Sequence, residues 1–295
     1  MDKVITRILG GLGNQMFSYA AARALALRTN SELILDTISY FEQDFLYRRK
    51  YQLQHFRIPC REVSPRERRM FESRYLRYIN RHLNRMIPFQ MRWYIFQEKI
   101  EFDEWMLKFR PHGTVYLEGY WQSENYFKDE ETQIRKDFSL DTPAELHNLQ
   151  LGHQMRTSES VALHFRFFDR PGSDEASNIS AYYYESAISI MDSYVPHAHY
   201  FIFSDNPDEA KKRIRLPEQR MTVISHNIGD DHAWKDMWLM RLCKHFIIAN
   251  STFSWWGAWL SQNPDKIVIA PKAEIRAGVS SWGFNGLLPN EWIKL

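Results

Sequence analysis

The sequence predicts an α/β protein with parallel, doubly wound sheets. Three observations predict it. A strand–helix–strand unit opens the chain within residues 4–36. The same alternation runs element after element across residues 160–271. A polar, irregular stretch, residues 141–160, separates the two regions, so the chain divides into two domains, 1–155 and 156–295.

Taken in order, VITRIL (residues 4–9) is a short apolar run rich in β-branched residues and reads as a buried strand. Residues 15–28 carry Ala, Leu and Met at helical spacing. SELILD (31–36) follows as a second strand, and this spacing implies parallel pairing. Residues 64–86 read as one helix, with Ser64 and Glu67 forming a capping box and Pro65 at the first helical position. Its arginines Arg66, Arg69, Arg77, Arg81 and Arg85 tend towards one face; Phe71, Leu76, Ile79, Leu83 and Met86 fall elsewhere. Such a helix presents either a solvated arginine face or a surface for acidic lipid. GTVYLEGYWQSENYF (113–127) is a strand followed by an aromatic turn. Beyond residue 160, SVALHFRF, AHYFIFSDN, MTVIS, FIIANS and KIVIAP are strands with helices between them.

Composition limits the function classes. The 295 residues are 44% hydrophobic and 25% charged, which supports a sizeable core and excludes wholesale disorder. A net charge of +2 gives nucleic acid no electrostatic footprint. Two cysteines, Cys60 and Cys243, build neither a disulfide framework nor a four-thiolate zinc site, and their number fits a reducing compartment. The N-terminus MDKVITRILGG lacks a signal-peptide apolar stretch, and no run approaches the roughly 18 apolar residues of a membrane span. The expectation is a cytoplasmic protein. Peripheral contact with the inner membrane face through the arginine-rich helix 65–86 is the route left to a bilayer.

The glycine loop at Gly10–Gln15 tests a nucleotide-binding reading. A dinucleotide fingerprint requires G-x-G-x-x-G; Gly11 and Gly13 fit, but Met16 occupies the third position. A P-loop would place Lys and Ser or Thr after Gly13, where Asn14 and Gln15 stand. Both phosphate readings fail, which argues against a nicotinamide-dependent oxidoreductase, a reading that absence of NAD binding by calorimetry would end. The loop is then a structural turn, or a place where bare backbone and a helix start approach some other ligand at a strand end.

Three polar clusters in the second half lie at or just beyond strand ends. They are His164, Arg166 and Asp169 in ALHFRFFD; Ser204, Asp205 and Asn206 in FSDN; and Asn250, Ser251, Thr252 and Ser254 leading into a helix. His164 and Arg166, two apart, share one side of a strand. Hydroxyls at a helix start can cap it and can also bind an oxyanion. Each alone has a plain structural role. Three on one sheet edge point to a ligand cleft.

The chain resembles the family 11 α-1,2-fucosyltransferases in GGLGNQMFSYAAARALA, YLEGYWQSENYF, FIFSDN, LMRLCKHFIIANSTFSWWGAWL and LPNEWIKL, in that order and over nearly its whole length. The resemblance implies a GT-B fold, two Rossmann-like domains facing a central cleft. It implies a GDP-fucose donor held by the C-terminal domain and a galactose-terminated glycan, in some settings lipid-linked, held mainly by the N-terminal one. His164 and Asp236 would hold the guanosine, Asp205 and Asn206 would line the same pocket, and Asn250, Ser251, Thr252, Phe253 and Ser254 would border the donor. Gly11, Gly13, Asn14 and Gln15 would face the acceptor, with Asn14 contributing to transfer. The family usually reads His-x-Arg-Arg-Gly-Asp at the first cluster. Here Phe167 and Phe168 replace the second arginine and the glycine, which leaves Arg166 as the indispensable arginine and leaves donor and acceptor choice open.

The implied reaction is inverting transfer of L-fucose from GDP-β-L-fucose to the 2-hydroxyl of a terminal galactoside, as in bacterial surface-polysaccharide synthesis. The sequence contains no Asp-x-Asp, the metal-holding motif of many transferases. Arg166, the hydroxyls of Ser251, Thr252 and Ser254 and nearby amides would steady the departing diphosphate instead, with no metal or cofactor. Asp169 is the candidate base, or else the ion-pair partner that orients Arg166. The alternatives are a catalytically impaired GDP-sugar or glycan-binding protein, and a transferase for another GDP-sugar.

Overall fold

The computed structural model describes residues 1–167, 179–272 and 282–295. The chain forms two compact units, Met1–Leu140 with Asn285–Leu287, and Asp141–Phe284 with Leu288–Leu295.

The first unit contains β1 (Lys3–Arg7), α1 (Leu12–Thr29), β2 (Glu32–Asp36), β3 (Arg61–Glu62), α2 (Pro65–Arg68), α3 (Arg74–Arg85), β4 (Tyr94–Phe96), α4 (Trp105–Lys108), β5 (Thr114–Glu118) and α5 (Glu131–Asp137). Its strands form a parallel sheet in the order β3-β2-β1-β5-β4, with Val4 opposite both Leu33 and Val115. Ile5, Ile34, Val63, Phe71, Tyr94 and Tyr116 form one buried cluster on it. Helix α1 is alanine-rich and buried on most of its surface, so it packs on more than one side; Asn30 ends it in the left-handed conformation.

The second unit contains α6 (Leu146–Thr157), β6 (Ser160–Phe165), α7 (Ala181–Tyr194), β7 (His199–Ser204), α8 (Pro207–Arg213), β8 (Met221–Val223), α9 (Ala233–Met240), β9 (His245–Ile247), α10 (Thr252–Leu260), β10 (Val268–Ala270) and β11 (Ile293–Lys294). The strands are parallel in the order β11-β10-β9-β6-β7-β8. Counted from β6, this is the 3-2-1-4-5-6 order of dinucleotide-binding sheets, and it reverses between β6 and β9. Strand β6 is buried at every position, which explains its unalternating apolar run. Trp255, Trp256 and Trp259 are buried against one another and serve the core.

The structure differs from the sequence reading at several points. The first unit runs to Leu140 and the second starts at Asp141, where the sequence places the boundary at 155/156. Residues of the stretch read as irregular form α6, which goes with the second unit. Leu151 and Met155 are its buried apolar residues, and Gly152 lies so close to Trp238 of α9 that a Cβ would come within 2.7 Å of the ring. Residues 64–86 are two helices, not one. The capping box at Ser64 starts α2, and Ser73 caps α3 afresh by accepting from the Leu76 N–H. The arginine face is solvated only in part: Arg66, Arg69 and Arg85 are exposed. Arg77 is buried, donating to the carbonyls of Phe71 and Glu72 and to Gln43 Oε1, and Arg81 stacks on Phe96 at 3.5 Å.

Candidate active site

In an open parallel sheet, ligands bind beyond the carboxyl ends of the strands where the strand order reverses. In the second unit that place lies between β6 and β9, and the expected residues gather there. His164 and Arg166 stand at the end of β6, Asp205 follows β7, and Ser251 precedes α10 after β9.

The Arg166 guanidinium donates from Nη1 to Asp205 Oδ2 at 2.6 Å, and the Phe167 N–H donates to Asp205 Oδ1 at 3.0 Å. One carboxylate thus holds both the arginine and the backbone beside it. The partner that orients Arg166 is Asp205; Asp169 lies outside the described residues. The Phe167 side chain turns into the core, parallel to Phe165, with the guanidinium of Arg213 4.9 Å from its ring. The position where the family usually carries a second arginine is therefore a packing position in this chain.

The buried His164 ring lies 5.8 Å from the Phe253 ring. Burial, reinforced by the Arg166 charge, lowers its pKa to about 3, so the imidazole is neutral at physiological pH. Its Nδ1 is buried with no hydrogen-bond partner among the described residues. A buried nitrogen left this way carries a desolvation penalty that a ligand hydrogen bond would relieve.

Ser251 is the extended residue before α10 and makes no side-chain cap bond. The first N–H groups of a helix lack intrahelical carbonyls and favour an anion there. Ser254 differs: it is fully buried, and its hydroxyl donates to the Ser251 carbonyl. Asn206 is likewise committed locally, its Oδ1 accepting from Glu209 N–H to cap α8. Asn250 adjoins Ser251 in the same segment, and Thr252 opens α10.

Asp236 is not an exposed acid paired with lysine. It accepts from Asn227 Nδ2 at 2.8 Å, while Lys235 pairs with Glu145. Asn227 and His226 both contact Asn148 Oδ1. Burial pushes the Asp236 carboxyl up to about 7, partly offset by the Asn227 hydrogen bond.

In the first unit the order reverses between β1 and β5, and the glycine loop lies there. Asn14 Oδ1 accepts from Gln122 Nε2 at 2.9 Å, and Ser18 Oγ lies within 3.2 Å of the Asn14 carbonyl and 3.1 Å of the Gly119 carbonyl. Gln15 is fully buried and internally engaged. Its Nε2 lies 2.9 Å from the Gly10 carbonyl and 2.8 Å from the Lys50 carbonyl, and its Oε1 accepts from the Gln52 N–H. It pins one loop to another. Gly11 precedes α1 and Gly13 lies within its first turn.

Sequence reasoning missed several residues at this edge. Arg7, ending β1, is ion-paired with Glu118, which ends β5 and also accepts from Tyr94. Asp36, ending β2, accepts from the Tyr116 hydroxyl at 2.6 Å. The available signal was a charge closing an otherwise apolar strand. Trp121 has a positive φ of 53° and a buried Nε1 without a hydrogen-bond partner among the described residues.

Among the described residues no three His, Cys, Asp or Glu side chains are grouped so that they could hold a metal ion. No helix of the described residues is long and apolar enough to cross a membrane.

Two Rossmann-like parallel sheets, one with a cation, a helix start and an orphaned imidazole nitrogen at its switch point, give this chain the GT-B fold. A variant of Arabidopsis thaliana FUT1 in complex with GDP shares this fold, with a TM-score of 0.53 at 15% identity over 90% of this chain and 70% of that one. The chain belongs to glycosyl transferase family 11, whose match spans residues 2–293. It is 32% identical over 281 residues to an Escherichia coli alpha-1,2-colitosyltransferase, covering 92% of each chain. It is 28% identical to the Escherichia coli O-antigen biosynthesis glycosyltransferase WbnK, covering 89% of this chain and 92% of that one.

Proposed function

We propose that this glycosyltransferase moves L-fucose from GDP-β-L-fucose to the 2-hydroxyl of a terminal galactoside, with inversion and without a metal. The observation that carries the reading is the Arg166 guanidinium, steered by Asp205 at the switch point of the second sheet. A diphosphate placed there meets a fixed cation, the N–H groups of the first turn of α10 and the Ser251 hydroxyl. Neutral His164 adds a hydrogen bond without adding charge, and Asp236 and its asparagine neighbours receive the nucleoside. The acceptor oxygen attacks the anomeric carbon as the bond to the phosphate oxygen breaks. Its proton passes to Asp169 or to the leaving phosphate. Charge grows on the diphosphate during this step, so the contact to Arg166 strengthens in the transition state.

The acceptor glycan is assigned to the first unit, where Asn14 and Gln122 meet. The similarity to an O-antigen glycosyltransferase supports a cytoplasmic role in surface-polysaccharide assembly with a lipid-linked acceptor. The similarity to a colitosyltransferase favours a second reading, in which the donor is GDP-colitose, the 3-deoxy counterpart of GDP-fucose.

The test is a panel of GDP-sugars against terminal galactosides, read by mass spectrometry with and without EDTA. Transfer is expected from GDP-fucose or GDP-colitose and is unchanged by EDTA. Arg166→Ala is expected to retain the fold and lose about a hundredfold or more in turnover. Undiminished turnover would sink the leaving-group account, and a strict cation requirement would sink its metal-free part.

A further inference from the structure

Helix α3 is amphipathic in the reverse sense from a surface helix. Its polar residues face the first unit: Arg77, Asn80 and Asn84 are buried, and Asn84 Oδ1 accepts from the backbone of Trp93 and Tyr94. Its apolar residues face out: Tyr75 is 71% exposed, Tyr78 60%, Leu83 48% and, just past the helix end, Met86 84%. Met70, whose carbonyl is held by Asn80, and Met91 are exposed too. This is a patch of large side chains, not a scatter of single ones.

Arginines flank the patch. Arg74, Arg81 and Arg85 share one stripe of the helix at i, i+7 and i+11. Arg69 and Arg74 are exposed with no ion pair among the described residues. Residues 64–94 carry eight arginines against two glutamates.

We infer that this face seats the enzyme on an anionic lipid bilayer. Tyr75, Tyr78, Leu83 and Met86 enter the headgroup–acyl boundary, and the flanking arginines lie among phosphate headgroups. Tyrosine suits that boundary, with an apolar ring and a wet hydroxyl. Apolar entry and basic attraction together make the two signals that stable peripheral binding requires. A second copy of this chain fits the patch poorly. A two-fold contact would set arginines against arginines. The inference does not depend on which sugar is transferred.

The experiment is co-sedimentation of the full chain with vesicles of phosphatidylethanolamine containing one quarter phosphatidylglycerol, and with phosphatidylcholine vesicles. Binding to the anionic vesicles is expected. Leu83→Ser with Met86→Ser should weaken it about tenfold or more, since each change removes buried apolar surface. Arg69→Glu with Arg74→Glu should erase the preference for anionic vesicles. Both double variants should keep the wild-type melting temperature and transfer to a water-soluble acceptor, because all four side chains are exposed. No vesicle binding, equal binding by the serine variant, or a dimer in sedimentation velocity that the serine variant dissolves would each overturn the inference.

Discussion

Asp236 shows how one half-buried carboxyl ties stability to proton binding. In the folded chain it holds its proton up to about pH 7; in the unfolded chain an aspartate releases it near pH 4. Between those limits the native state binds more protons, so this group's contribution makes stability fall as pH rises. Asp236→Asn removes that dependence. Urea unfolding of both proteins at pH 5 and pH 7.5 should show the variant gaining on wild type at the higher pH, by roughly 2–3 kcal/mol. A gap that does not change with pH would mean the carboxyl is already ionised. His164 shifts the other way, since burial disfavours the charged imidazole. Both residues were legible as site candidates in the sequence. Their protonation was not, because it depends on burial and on neighbours such as Asn227 that the sequence places apart.

The turn between β1 and α1 carries its information in two adjacent glycines with different roles. Gly10 has a φ of +75°, and a Cβ there would lie 2.7 Å from Asn14 Nδ2. Gly11 has a φ of −75° and open space around it. Gly10→Ala should cost about 1–2 kcal/mol and lower the melting temperature by several degrees, while Gly11→Ala should leave it nearly unchanged. Equal effects in thermal unfolding would show that backbone conformation does not separate the two positions. The loop itself was readable from its spacing. The inward turn of Gln15 was not, because its partners Lys50 and Gln52 lie on another loop. Helix α3 makes the same point: the sequence shows two chemically distinct faces, and only packing decides which one meets solvent.

Each of the two units has its own parallel sheet and its own core, so a ligand of one should be felt mainly there. With GDP at about 100 times its dissociation constant, linkage stabilises the binding unit by roughly 2.7 kcal/mol. Amide hydrogen exchange should slow around β6, β9 and α10 and remain unchanged in β1, β2 and β5. Protection gained in the first unit instead would reverse the assignment of donor and acceptor sides.

The amino-acid sequence by itself determined the α/β class, the parallel order of its elements, and the clustering of His164, Arg166, Asp205 and Ser251 on one edge. It could do so because strand–helix alternation forces parallel pairing, and parallel pairing puts every strand's carboxyl end on the same side. Only the tertiary structure decided that Asp205 is the partner of Arg166, that Phe167 and Ser254 turn inward, that the chain divides near residue 140, and that α3 shows its apolar side to solvent. Those outcomes rest on contacts between residues distant along the chain, and side-chain burial is a property of the packed whole.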